Sequence, residues 1–147
     1  MKSADYMLLA INEAKKASSF GEVPVGAVIV KNGEVLATGC NQREDKCDPF
    51  SHAEVEVIKA AAKKTGDWRL TDCDLYVTLE PCPMCAGAII NARINRVFFG
   101  AYDSRAGSFG SRCDLTQFGY DSLPEIHGGI LQKECEELLA EFFKSKR

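Results

Sequence analysis

The dipeptide Asn32-Gly33 stands between two apolar segments, Gly26-Ala-Val-Ile-Val and Val35-Leu-Ala. A two-residue type I′ turn needs positive φ at both central positions, and Asn-Gly meets that need at little steric cost. Residues 25–31 and 34–40 are therefore read as an antiparallel hairpin, its first strand buried. An all-helical fold is excluded at once, and the remaining elements must be arranged around this sheet.

Residues 5–19 predict a helix, since Met7, Leu8, Ile11, Ala14 and Ala17 fall near a 3.6-residue period while Lys15 and Lys16 face outward. Gly21 and Pro24 break it. After a polar loop at 41–49, residues 52–65 predict a second helix, stopped by Gly66. A strand is expected at 75–79, a helix at 81–91 with a proline near its first turn, and a strand at 96–101. Residues 102–123 have little periodicity and contain Gly107, Gly110 and Gly119; a stretch of that length is more often functional than idle. A short fifth strand is placed at 125–127 and an amphipathic closing helix at 131–143. A hairpin followed by strand, helix, strand, helix and strand predicts a mixed sheet with helices on both faces. From the third strand onward, right-handed crossovers should give locally parallel pairs.

The chain is 147 residues long, which predicts one domain over residues 1–147 with a core that needs no disulfides. Apolar residues make up 46% and charged residues 27%, which excludes a disordered chain. No apolar run approaches a membrane span, so no membrane partner is expected. The start Met-Lys-Ser-Ala-Asp has no signal-peptide apolar block, so the expected compartment is the cytoplasm. The net charge is −3, which gives no overall basic field for nucleic acid. Seven cysteines are too many and too odd in number for full pairing. Free thiols, some of them bound to metal, are the better expectation.

Two motifs carry the chemistry: His52-Ala53-Glu54 and Pro81-Cys82-Pro83-Met84-Cys85. Each opens a predicted helix, and in an α/β unit two successive helix starts can be neighbours. One imidazole and two thiols would then converge. That donor set suits Zn²⁺, and three protein donors leave a fourth position open, the catalytic rather than the structural arrangement. Helix N-termini favour anions and so favour thiolates. Glu54 is not needed as a ligand. A carboxylate beside such a site can take a proton from an attacking water and pass it on, which is the work of hydrolytic deamination at an amidine-like carbon. Taken singly, the Cys-x-x-Cys reads equally as a redox pair or as buried thiols, and His52 as a helix cap. A four-ligand structural site would need a further donor, and neither His127 nor the other five cysteines have matching spacing.

The His-x-Glu and Pro-Cys-x-x-Cys pair is the signature of zinc nucleobase deaminases. The chain more closely resembles the bacterial tRNA-specific adenosine deaminases of the cytidine-deaminase-like superfamily. The likeness rests on Glu22-Val-Pro-Val-Gly-Ala-Val, His52-Ala-Glu, Leu75-Tyr-Val-Thr-Leu-Glu-Pro-Cys, Met84-Cys-Ala-Gly-Ala-Ile, Arg96-Val-Phe-Phe-Gly-Ala, Gly107-Ser-Phe-Gly-Ser and Glu141-Phe-Phe-Lys. The resemblance implies an α/β fold, a three-layer α/β/α sandwich with a five-stranded mixed sheet, assembled as a homodimer with one Zn²⁺ per subunit. It implies conversion of adenosine to inosine at the wobble position of a tRNA anticodon loop, on a base splayed out into the metal pocket. By position His52, Cys82 and Cys85 would hold the zinc and Glu54 would shuttle protons. Asn41 would contact the base, Val23, Pro24 and Val25 would pack on the flipped nucleotide with Ala53, Asp103 would lie near the ribose, and Arg105 would meet phosphate.

The sequence departs from that pattern at Phe50-Ser51, where Thr-Ala is common, and at Arg105, where lysine is common. An acidic chain can still bind RNA if its basic residues cluster. Arg105, Arg112, Lys144, Lys146 and Arg147 are expected to line one face with the pocket mouth, while Glu134, Glu136, Glu137 and Glu141 crowd the last helix. Two other readings remain open on sequence. One is a deaminase of a free nucleobase or nucleoside of guanine or cytosine type; the other is a non-catalytic zinc module, which would have no use for Glu54.

Overall fold

In the computed structural model, which describes residues 1–146, the Asn32-Gly33 turn forms as expected, with φ of 50° and 78° at its two central residues. It joins β1 (Gly26–Lys31) to an antiparallel β2 (Glu34–Cys40), with a bulge between Ile29 and Val30. β3 (Cys73–Leu79) adds to the other edge of β1, again antiparallel. β4 (Arg96–Ala101) then pairs parallel with β3, and β5 (Glu125–His127) pairs parallel with β4. The sheet has five strands in the order β2-β1-β3-β4-β5, mixed as predicted.

Strand periodicity sorts the core into two layers. Ala27, Ile29, Leu75, Val77, Val97 and Phe99 face α3 (Ala53–Thr65) and α4 (Pro83–Asn91), meeting Val57, Ala61 and Ile89. Val28, Val30, Tyr76 and Phe98 face the opposite way, toward Met7, Ala10 and Ile11 of α1 (Ser3–Ser19) and Cys135 of α5 (Gln132–Ser145). This is the three-layer α/β/α arrangement. Each fully buried Ile or Leu at such a position contributes roughly 1.5–3 kcal/mol, so the central strands hold both layers together.

Where boundaries differ from expectation, local chemistry explains it. α4 begins at Pro83, not at residue 81, because a residue before proline is kept out of helical ψ. Cys82 accordingly stands as the extended N-cap, with ψ 173°. The loop after β2 contains a four-residue helix, α2 (Arg43–Lys46), too short to show periodicity, and Cys47 ends it in the left-handed region. β3 starts two residues early because Asp74 joins the ladder opposite Arg96, and the two side chains form a doubly hydrogen-bonded pair at 2.6 and 3.0 Å. Both loops that matter for function, 41–52 and 102–114, emerge at the end of the sheet where β2 finishes and the parallel strands β3 and β4 point.

Candidate active site

β3 and its crossover α4 place Cys82 beside the start of α3. His52 is the N-cap of α3 and Cys82 the N-cap of α4, with Cys85 in the first turn. His52 Nδ1 lies 3.7 Å from Cys82 Sγ and 3.5 Å from Cys85 Sγ, and the three donor atoms all lie within 4.8 Å of one another. Tetrahedral zinc with Zn–N near 2.0 Å and Zn–S near 2.3 Å has an N···S edge of about 3.5 Å. The donors therefore fit that ion in type and in spacing. The donors stand at two helix N-termini, and a backbone hydrogen bond from Cys85 reaches Cys82, which favours the thiolate form. The Cys85 hydrogen bond, with help from His52, pushes the Cys82 thiol down to about 4. Cys85 itself is raised by its hydrogen bond to Cys82 and by burial, and His52 is raised by the hydrogen bond it donates to the Cys82 thiolate.

Glu54 follows two residues after His52 and is only 4% exposed. Burial pushes its carboxyl up to about 7, with the Cys82 thiolate adding to the shift. A carboxyl poised there can accept and return a proton near neutral pH.

The cluster opens into a small cavity of about 130 Å³ bordered by Val23, Val25, Asn41, Arg43, His52, Glu54, Leu79, Glu80 and Cys82. Of the residues expected at a substrate site, Val23, Val25 and Asn41 are thus brought to the donors. Pro24 and Ala53 are buried and do not border this cavity. Asn41 Nδ2 donates to the Val23 carbonyl at 3.2 Å, and Asn41 Oδ1 accepts from the Ala53 amide at 2.9 Å. Asp103 lies on the 102–114 loop, where its Oδ1 accepts from the amides of Arg105 and Ala106. Arg105 and Arg112 are exposed on that loop. Lys144 and Lys146 are exposed at the end of α5, in the other helical layer, and Arg147 lies outside the described residues.

Three residues at the cavity were not singled out from the sequence: Arg43, Leu79 and Glu80. Arg43 lines the mouth from α2. Glu80, next to the Pro81-Cys82 turn, is 2% exposed and accepts hydrogen bonds from the 102–114 loop. The only signal in the sequence was its place in Leu-Glu-Pro-Cys. Phe50 is 63% exposed, so it does not fill core space; its carbonyl accepts the His52 amide at 2.8 Å.

The family described as the cytidine and deoxycytidylate deaminase zinc-binding region matches residues 1–101. The tRNA-specific adenosine deaminase of Bacillus subtilis (strain 168) is 48% identical over 143 residues, covering 97% of this chain and 89% of that protein. The chain belongs to the tRNA-specific adenosine deaminase family. The family member from Agrobacterium fabrum (strain C58 / ATCC 33970) is 42% identical, covering 97% of this chain and 94% of its own. A solved structure from work on A-to-I editing by tRNA:A34 deaminases at the wobble position of transfer RNA superposes with a TM-score of 0.85. It is 40% identical and covers 92% of this chain and 99% of that one. A guanine deaminase from Bacillus subtilis is also similar, with TM-score 0.68 and 43% identity, but over 69% of this chain and 66% of that one. The family's zinc-binding character agrees with the donor set of His52, Cys82 and Cys85. No helix among the described residues is long and apolar enough to cross a membrane.

Proposed function

We propose that this protein deaminates adenosine to inosine at the wobble position of a tRNA anticodon loop, with water added and ammonia released at C6 of the base. The observation that carries the chemistry is the convergence of His52 Nδ1 with the two thiols at 3.5–3.7 Å beside the buried carboxyl of Glu54. High identity sustained along the chain favours tRNA as substrate: it is 48% over 97% of the chain for the tRNA enzyme, against 43% over 69% for the Bacillus subtilis guanine deaminase.

His52, Cys82 and Cys85 hold one Zn²⁺ per subunit. When bound, the metal supplies the Lewis acidity that makes water a nucleophile near neutral pH. Glu54 takes a proton from the attacking water and delivers protons to the ring nitrogen and the leaving amine. Asn41, fixed by Val23 and Ala53, retains one amide N–H to orient the base edge, while Val23 and Val25 form the apolar wall, with Pro24 buried between them. A cavity of this size admits a base only after it leaves the stack of its loop. Asp103 and Arg105 meet the ribose and phosphate outside. The working form is a cytoplasmic homodimer, for which the free cysteines are chemically suited.

Purified protein incubated with total tRNA, followed by sequencing for A-to-I changes and by zinc quantification, tests the reading. Inosine at a wobble position with zinc near one per chain is expected. Rapid release of ammonia from free guanine, cytosine or their nucleosides with no change in tRNA would overturn it.

A further inference from the structure

Glu80 is a buried carboxylate. Among the described residues it makes no ion pair; its charge is met by four donors. Oε1 accepts from the Asp103 amide at 3.0 Å and from the Ser111 hydroxyl; Oε2 accepts from the amides of Phe109 and Ser111, both at 3.1 Å. Every one of these donors lies in the 102–114 loop. An ion at 2% exposure is expensive to hold unless its lone pairs are filled, and hydrogen bonds to a charged acceptor are the strong ones. The loop therefore has one arrangement in which it satisfies the carboxylate, and that arrangement wraps the chain around it.

The fit leaves no slack. A Cβ at Gly107 would overlap the Glu80 carboxyl group, so the loop passes against the carboxylate at a residue with no side chain. The Ser108 amide adds a bond to the Pro81 carbonyl at 2.9 Å, and the Glu80 amide bonds the Ala101 carbonyl at the end of β4. One residue thus ties three things together: the Pro81-Cys82 turn that carries a metal donor, the end of β4, and the loop that displays Asp103, Arg105 and Arg112. Glu80 also borders the cavity with His52 and Glu54.

We infer that Glu80 is a positioning residue that holds the 102–114 loop in register with the metal turn, so that the loop's polar and basic groups meet the RNA outside the pocket. It acts on substrate capture more than on the chemical step. This inference rests on the tRNA reading for the identity of what the loop meets, but not for the loop's dependence on the carboxylate.

The test is Glu80→Gln in the full-length zinc-loaded protein. The amide presents N–H groups where two of the donors need an acceptor. KM for an anticodon stem-loop should rise at least tenfold while kcat changes less than threefold, with zinc content retained. Hydrogen exchange at the amides of Asp103, Phe109 and Ser111 should accelerate, while that of β1 and β3 stays slow. Gly107→Ala, which leaves the carboxylate in place, should give the same split, and the double variant should be no worse than either alone because both break one contact. If Glu80→Gln does not fold, Gly107→Ala and Ser111→Ala carry the test, the latter with a KM rise of two- to fivefold. A fall in kcat at unchanged KM, or unchanged exchange in the loop, would overturn the inference. Failure of the wild-type protein to deaminate the RNA would instead sink the tRNA reading, with the exchange measurement still deciding the role of Glu80.

Discussion

The side-chain oxygen of Asn41 accepts the backbone N–H of Ala53 at 2.9 Å, so a residue at the end of β2 caps the helix that begins with the metal-site histidine and Glu54. The other half of the amide holds the Val23 carbonyl. Asn41→Ala removes both partners from buried groups and should lower stability by about 1–2 kcal/mol. Activity should fall further than stability, because the start of α3 is no longer registered against β2. Asn41→Asp keeps the acceptor and should recover most of the melting temperature without recovering KM. Thermal melts and steady-state kinetics on the three proteins check this; equal losses in both variants would count against a capping role.

Glu54 offers a cleaner separation of fold from chemistry. Its side chain is buried and raised to about 7, so it adds an expensive polar group rather than cohesion. Glu54→Ala should leave zinc content and the melting temperature near those of the wild type. Deamination should drop by about 10²–10⁴-fold, the usual scale for a general acid–base. Activity within tenfold of wild type would remove Glu54 from the reaction.

Thiol labelling distinguishes the structural cysteines from the site. Burial pushes Cys135 up to about 12 and also raises Cys40 and Cys73, whereas Cys47 is exposed and Cys113 half-buried. In zinc-loaded protein at neutral pH, about one thiol per chain should react fast and about one slowly, since the reagent must reach the sulfur. A chelator should then release Cys82 to the reagent. Mass spectrometry of the labelled peptides checks the order; early labelling of Cys40 or Cys73 would contradict the packing.

How much of this could be read from the chain depends on the range of each interaction. The hairpin was legible because Asn32 and Gly33 carry their backbone requirement locally. The metal donors were legible because His52, Cys82 and Cys85 occupy helix-start positions whose spacing survives any detail of packing. β5 and the ends of β2 and β4 fell where the apolar pattern placed them. Glu80 was not legible. Its role comes from donors 23 to 31 residues away on a loop without periodicity, and nothing in Leu-Glu-Pro-Cys announces them. Asn41 was expected to contact the base, and its contact with Ala53, a cap across 12 residues, is likewise visible only in three dimensions.

The loop before the metal histidine should be acid-sensitive. Burial pushes the Glu56 carboxyl up, but the Ser51 hydroxyl at 2.7 Å and the Lys46 ammonium at 2.9 Å outweigh it and hold the group below the usual carboxylate range. A depressed folded-state value means the stabilisation is present above the unfolded value, about 4.3, and lost as pH falls through the lower folded value. Because the pair is partly solvated, it is worth about 0.5 kcal/mol. Wild type should melt slightly above Glu56→Gln at pH 5–7, and the gap should close by pH 3. A gap that widens in acid would reverse the assigned sign.

The basic residues should govern the salt dependence of RNA binding as well as its affinity. With a net charge of −3, RNA binding cannot come from an overall field and must come from placement. Arg105 and Arg112 sit on the loop anchored by Glu80, whereas Lys144 lies in the last turn of α5 and Lys146 and Arg147 follow that helix in the sequence. Each phosphate contact to single-stranded RNA contributes about 0.7 to the slope of log K against log salt through counterion release. Replacing the three tail cations with glutamine should therefore weaken tRNA binding and reduce that slope by about 2 if all three meet phosphate. Arg105→Ala should lower it by less than 1 while also raising KM for a minimal stem-loop, since that residue lies closest in sequence to the Asp103 turn. Filter binding or anisotropy across 50–200 mM salt measures both. An unchanged slope for the tail variant would assign those residues to solvent and leave the loop as the electrostatic contact.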